Sequence, residues 1–159
     1  MIKKTIAASL TAMFLLAVAA PIAMAITRDE YKAKVEPICK TNSEENEKIL
    51  KGVEKLVKQD KLKPAAAKLI KASSALKRTH SQLAAVEQPV EDTAKLTKWL
   101  GYIKTQVDLL NSTGKALKAG NKHKAQNLRN KLDKTVNQAN SQVLAFSFRY
   151  CRIEPTKYT

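Results

Sequence analysis

The chain has 159 residues and carries 29 Lys and Arg against 14 Asp and Glu, a formal charge of +15 at pH 7. Only five of the cations are Arg; Lys is a hydrated point charge without the planar fork that reads phosphate or carboxylate bidentately, so the composition favours diffuse attraction to anionic matter. The three methionines stand at positions 1, 13 and 24, which leaves no thioether beyond residue 25 and excludes a Met/His haem site there.

The N-terminus reads as a secretory signal peptide. Lys3 and Lys4 precede a mostly apolar run over residues 5–20, followed by Pro21 and the small-x-small triplet Ala23-Met24-Ala25. Cleavage is expected after Ala25, which makes residues 1–25 a leader and assigns the protein to a secreted or periplasmic, oxidising compartment. The next residue is Ile26, not Cys, so a lipid-anchor signal is absent; retention of the leader as an anchor is the alternative. No later stretch reaches the ~20 apolar residues that span a bilayer.

Residues 26–146 read as one helical domain in four segments, divided at Pro64, Pro89 and Gly120. The first helix is capped at Thr27 with Glu30 three residues on, a capping-box pattern. Its stripe is Tyr31, Val35, Ile38, Asn42, Asn46, Ile49, Val53 and Leu56, spaced three and four apart as one helix face requires. Pro37 falls inside this stripe, and a kink is expected over residues 33–37. The second helix opens with Pro64 in its first turn and places Leu69, Leu76 and Leu83 seven apart, alternating with Ala66, Ser73 and His80. The third begins near Pro89 to Asp92 and runs through Leu96, Trp99, Leu100, Ile103, Val107, Leu110, Gly114 and Leu117 to a stop at Gly120. The fourth is capped by Asn121 and carries Ala125, Leu128, Leu132, Val136, Ala139, Val143 and Phe146. Residues 147–159 form an irregular tail. Nothing alternates with period two, so the expected fold is all-α, an up-down-up-down four-helix bundle.

This topology sorts the charge. Residues 48–78 hold ten Lys and Arg against two acids, and residues 113–134 hold seven against one. The turns between helices one and two and between three and four lie at the same end of such a bundle. The expected basic end comprises Lys51, Lys55, Lys58, Lys61, Lys63, Lys115, Lys118, Lys122, Lys124, Arg129 and Lys131. Two readings stand for it. One is a solubilising surface; the other is docking to an anionic surface or polymer, such as an envelope polymer, acidic lipid or extracellular nucleic acid. Interleaved aromatics for base stacking are lacking.

Cys39 and Cys151 are the two cysteines. In an exported chain they read as one disulfide tying the first helix to the tail; a redox or metal pair is the alternative, with no C-x-x-C and no neighbouring His to support it. His80 and His123 fall at opposite ends of the bundle, ~20 Å or more apart at 1.5 Å per residue, so they share no metal. His80 reads as a hydrogen-bonded core residue or a member of a ligand cavity. Asn42 and Asn46 occupy core positions, where buried amides need partners. They read either as a polar layer that fixes register or, with His80, as the lining of a ligand cavity. No nucleophile elbow, zinc-protease motif or phosphate loop is present, and no metal or cofactor is expected.

Tyr31 to Ile38-Cys39, Leu83 to Pro89, Trp99-Leu100, Ala119-Gly120-Asn121 and Phe146 to Cys151 resemble a broad set of uncharacterised exported bacterial helical-bundle proteins. Those proteins share one Cys in the first helix and one at the C-terminus. The resemblance implies a disulfide-tied helical domain and no activity. Members often carry a lipid-anchor cysteine or a proline pair before the third helix; this chain has Gln88-Pro89 at the latter place. The functional expectation is a non-enzymatic interaction protein that docks to anionic surfaces or polymers through its Lys-rich end. The alternative is a carrier of a small ligand in a polar layer of the bundle core.

Overall fold

The computed structural model describes residues 25–153; residues 1–24, where nearly all of the expected leader falls, and residues 154–159 lie outside the described residues. The described chain is all-helical: α1 (Arg28–Leu50), α2 (Val53–Lys58), α3 (Leu62–Ala84), α4 (Thr93–Lys118) and α5 (Lys122–Gln142), with single 3₁₀ turns at Val90–Asp92 and Leu144–Phe146. The four long helices α1, α3, α4 and α5 form an up-down-up-down bundle, and α2 is a short continuation of the first.

The helix starts follow the sequence signals. Thr27 Oγ1 accepts the Glu30 amide at 3.3 Å while Glu30 Oε2 accepts the Thr27 amide at 2.8 Å, completing the capping box. Donation from Thr27 holds the Glu30 carboxyl below its ordinary pKa. Asn121 Oδ1 accepts the Lys124 amide at 2.8 Å and caps α5. Pro37 is carried inside α1, which runs unbroken through it.

The first helix does not continue to Leu56 as its stripe predicts. Gly52 takes φ +78°, the left-handed conformation that ends helices. Lys68 Nζ donates to the freed carbonyls of Ile49 and Lys51 at 2.9 and 3.1 Å. The chain restarts as α2, none of whose residues is fully buried. The apolar spacing survives the break because Val53 and Leu56 still face the bundle, partly buried.

α3 and α4 cross closely at small residues. A Cβ on Gly114 would stand 2.7 Å from Ile70 Cγ1 and 3.0 Å from the Ala66 carbonyl oxygen. Ser73 Oγ donates to the Val107 carbonyl at 3.0 Å one turn further on. α4 also packs along α5, and α3 along α1. The fourth side of the square is different: α1 and α5 do not pack against each other along their length.

What joins α1 to the end of α5 lies at one end of the bundle. Cys39 and Cys151 form a disulfide. The Glu36 carboxylate accepts the amides of Arg149 and Tyr150 at 2.6 and 3.0 Å, and Lys32 Nζ donates to the Ser147 carbonyl at 2.9 Å. Asn140 of α5 pairs with both backbone groups of Ile153. The tail is thus a strap between the two helices. At this end Arg28 also makes a two-pronged pair with Asp92, at 2.8 and 3.0 Å. Asp92 is 1% exposed, and the pair raises the Arg28 pKa.

The large core side chains gather here too. Tyr31, Val35, Leu83, Leu96, Trp99, Val143, Phe146 and Phe148 are buried in one cluster. Phe146 stacks on Phe148 with ring centres 5.0 Å apart and meets Tyr31 edge-on at 6.0 Å. At the other end the buried cluster is small: Ala65, Ala66, Ala116, Leu117 and Ala125.

Candidate functional site: a cleft on the open side of the bundle

One end pinned and bulky, the other lightly filled, leaves space where α1 and α5 fail to meet. A cleft of about 610 Å³ opens there, within the range of small-molecule sites, ~300–1,000 Å³. Its floor is Leu69 and Leu76 of α3 with Leu110 and Leu117 of α4. Leu50, Val53 and Val57 form one wall, and Ala125, Leu132 and Val136 the other. The break at Gly52 matters here, because it lets α2 bring Val53 and Val57 to the cleft rather than extend α1 straight past it.

The inner end of the cleft is a layer of amides: Asn42, Asn46 and Gln106. Asn46 Nδ2 donates to Asn42 Oδ1 at 2.9 Å, one turn apart on α1. Two other atoms of the layer are unmet. Asn46 Oδ1 and Gln106 Nε2 are buried with no hydrogen-bond partner among the described residues. Asn46 is 7% exposed and Gln106 1%. A buried polar atom without a partner costs about 1–3 kcal/mol. A second void of only 20 Å³ shares Asn42, Leu76, Gln106 and Ile153 with the cleft and extends toward Trp99 and the disulfide.

The rim is charged. Glu54, Lys58, Lys122, His123, Arg129 and Asp133 border the opening. Lys58 Nζ lies 2.7 Å from Glu54 Oε1 and lowers the Glu54 pKa, to which the charge of Arg129 adds. Lys122 Nζ lies 2.5 Å from Asp60 Oδ1, a pair that spans the α2–α3 and α4–α5 turns and places both at the same end. Arg129 has no acidic group within ion-pair distance among the described residues.

The residues singled out in the sequence divide as follows. Lys51, Lys55, Lys58, Lys61, Lys63, Lys115, Lys118, Lys122, Lys124, Arg129 and Lys131 are all exposed, and of these Lys58, Lys122 and Arg129 border the cleft. Asn42 and Asn46 line it. His80 does not: it is half-buried and borders neither void. It sits one turn past Leu76, toward the filled end. Hydropathy does not single out Gln106, because the stripe through Ile103 and Leu110 runs through Val107. The spacing Ile103, Gln106, Leu110, Thr113, Leu117 is equally helical, and it is this set that is fully buried. Among the described residues no group of three or more His, Cys, Asp and Glu is placed to hold a metal, and no helix is long and apolar enough to cross a membrane. Comparison with protein-family models, with curated proteins and with solved structures returns no match.

Proposed function

We propose that this is an exported, non-enzymatic binding protein that holds a small, largely apolar molecule in the cleft between α1/α2 and α5. The observation that carries the reading is the pair Gln106 Nε2 and Asn46 Oδ1, a donor and an acceptor buried at the inner end of an apolar cleft with no partner among the described residues. A core built only for stability replaces such atoms by apolar ones. A ligand bearing a hydroxyl or amide at one end satisfies both. The test is titration of the oxidised protein with phenylnaphthylamine, a neutral probe that brightens in apolar sites. Saturable binding of one probe per chain, reduced when Leu69→Trp fills the floor, supports the reading. No brightening above that of a filled bundle contradicts it.

A second reading concerns the basic end. Among the described residues, Lys58 and Lys122 are the two of its eleven exposed cations that have an acid within ion-pair distance, so most of its charge faces outward. Docking to acidic vesicles that weakens steeply with salt, and is lost on Lys118→Glu with Lys124→Glu, supports it. Salt-insensitive or absent sedimentation at low salt removes it.

A further inference from the structure

This inference rests on the cleft reading and names the ligand class. We infer that the cleft takes a single-chain amphiphile with an anionic group at one end and a hydrogen-bonding group at the other. The anionic group sits against Arg129 at the rim.

From Gln106 to Leu117 on the floor is eleven residues of α4, ~16 Å at 1.5 Å per residue. The cleft is therefore an elongated slot with apolar walls between an amide layer and a charged rim. A molecule complementary to it is apolar in the middle and polar at both ends.

The sign of the outer end follows from the arginine. The two basic segments, residues 48–78 and 113–134, contain seventeen cations, of which two are Arg: Arg78 and Arg129. Arg78 is engaged, 2.6 Å from Glu45. Arg129 has no such partner among the described residues and borders the cleft. Two acids share the rim, Glu54 and Asp133; Glu54 is paired with Lys58 at 2.7 Å, and neither lies within ion-pair distance of Arg129. A guanidinium presents a planar fork that matches the two oxygens of a carboxylate, sulfate or phosphate. The exposed lysines around that end, Lys118 and Lys124 among them, raise the local concentration of anions.

The experiment uses a matched pair of ligands below their micellar concentrations: ω-hydroxylauric acid, and the diol in which its carboxylate is replaced by a second hydroxyl. Displacement of phenylnaphthylamine from the oxidised protein reads both. At low salt the hydroxy acid is expected to bind about five- to tenfold more tightly than the diol, the scale of one charge-assisted contact at a partly exposed site. Arg129→Glu abolishes that preference, read as the ratio of acid to diol affinity within the same variant. Lys118→Glu changes the charge equally at the same end but outside the cleft, and preserves the preference. Arg129 is exposed, so its replacement leaves the core intact, and the helical circular dichroism of each variant checks this. Equal binding of acid and diol, or equal loss in Lys118→Glu and Arg129→Glu, overturns the anionic-head assignment and leaves the cleft reading standing. If neither ligand displaces the probe and the probe itself does not bind, the cleft reading fails and the inference with it.

Discussion

Cys39 in α1 and Cys151 in the strap beyond α5 are joined across a sequence separation of 112 residues, with their Cα atoms 5.0 Å apart. The bond links the two helices that do not pack on each other, at the end opposite the basic rim. In the chain-entropy argument, closing so long a loop stabilises the fold by about 4–5 kcal/mol. Replacing both cysteines by Ala is expected to lower the urea midpoint accordingly. Because the strap otherwise rests on Glu36, Lys32 and Asn140, the variant is also expected to bind phenylnaphthylamine more weakly. An unchanged midpoint contradicts the role given to the bond.

Gln106 is a place where binding and stability oppose each other. Gln106→Leu removes a buried donor without a partner and adds apolar surface, so a gain of about 1 kcal/mol in unfolding free energy is expected. The same variant loses affinity for the hydroxy acid and the diol alike, since both present a hydroxyl to the amide layer. Destabilisation by Gln106→Leu contradicts the description of that layer.

Tyr31 offers a test of the pinned end. Its side chain is fully buried, its hydroxyl has no partner among the described residues, and burial pushes its pKa up to about 12. In the unfolded chain the phenol ionises near pH 10. Between about pH 10 and 12 the unfolded state sheds a proton that the folded state keeps, so stability falls as pH rises through that window. Below it the contribution is fully present. Tyr31→Phe is expected to be neutral to about 1 kcal/mol stabilising near pH 8 and to flatten the alkaline loss. Urea unfolding across the alkaline range reads both effects; an equally steep loss in the variant contradicts the assignment.

The α3–α4 crossing gives a paired prediction from glycine. A Cβ at Gly114 meets the Ala66 carbonyl oxygen at 3.0 Å and Ile70 at 2.7 Å, whereas one at Gly101 meets nothing within 4 Å. Gly114→Ala is expected to cost about 1–3 kcal/mol by overpacking. Gly101→Ala in the same helix is expected to gain about 0.5–1 kcal/mol from lower chain entropy and better helix propensity. Thermal unfolding of the two variants in opposite directions is the expected result; shifts of the same sign contradict the close crossing.

Helix positions, both side-chain caps, the all-α class and the disulfide were legible in the sequence, because each depends on local spacing or on there being two cysteines. The break at Gly52 was not. A single glycine within an apolar stripe is compatible with a continuing helix, and the stripe itself persisted across the turn. Gln106 was hidden because Val107 is the more apolar of two adjacent residues that both fit the periodicity; packing against α3 and α5, not hydropathy, decides between them. Asn42 and Asn46 were visible as polar residues in a core stripe. Periodicity says which face of a helix turns inward. It does not say whether the fourth side of a bundle closes, so the cleft was foreseen only as an alternative and its outline not at all. His80 fits the apolar stripe of α3 but lines neither void, whereas Thr79 beside it and Leu83 one turn on line the smaller one.

The most direct test of the account is a heteronuclear NMR titration of the oxidised protein with ω-hydroxylauric acid. The account predicts saturable shifts in the side-chain amides of Asn46 and Gln106, together with Leu110, Leu132 and Arg129. Lys61, Lys63 and Lys118 should remain unmoved. Shifts confined to the surface lysines, growing without saturation, or no shifts in the amide layer, contradict the claim that the open side of this bundle is a binding site.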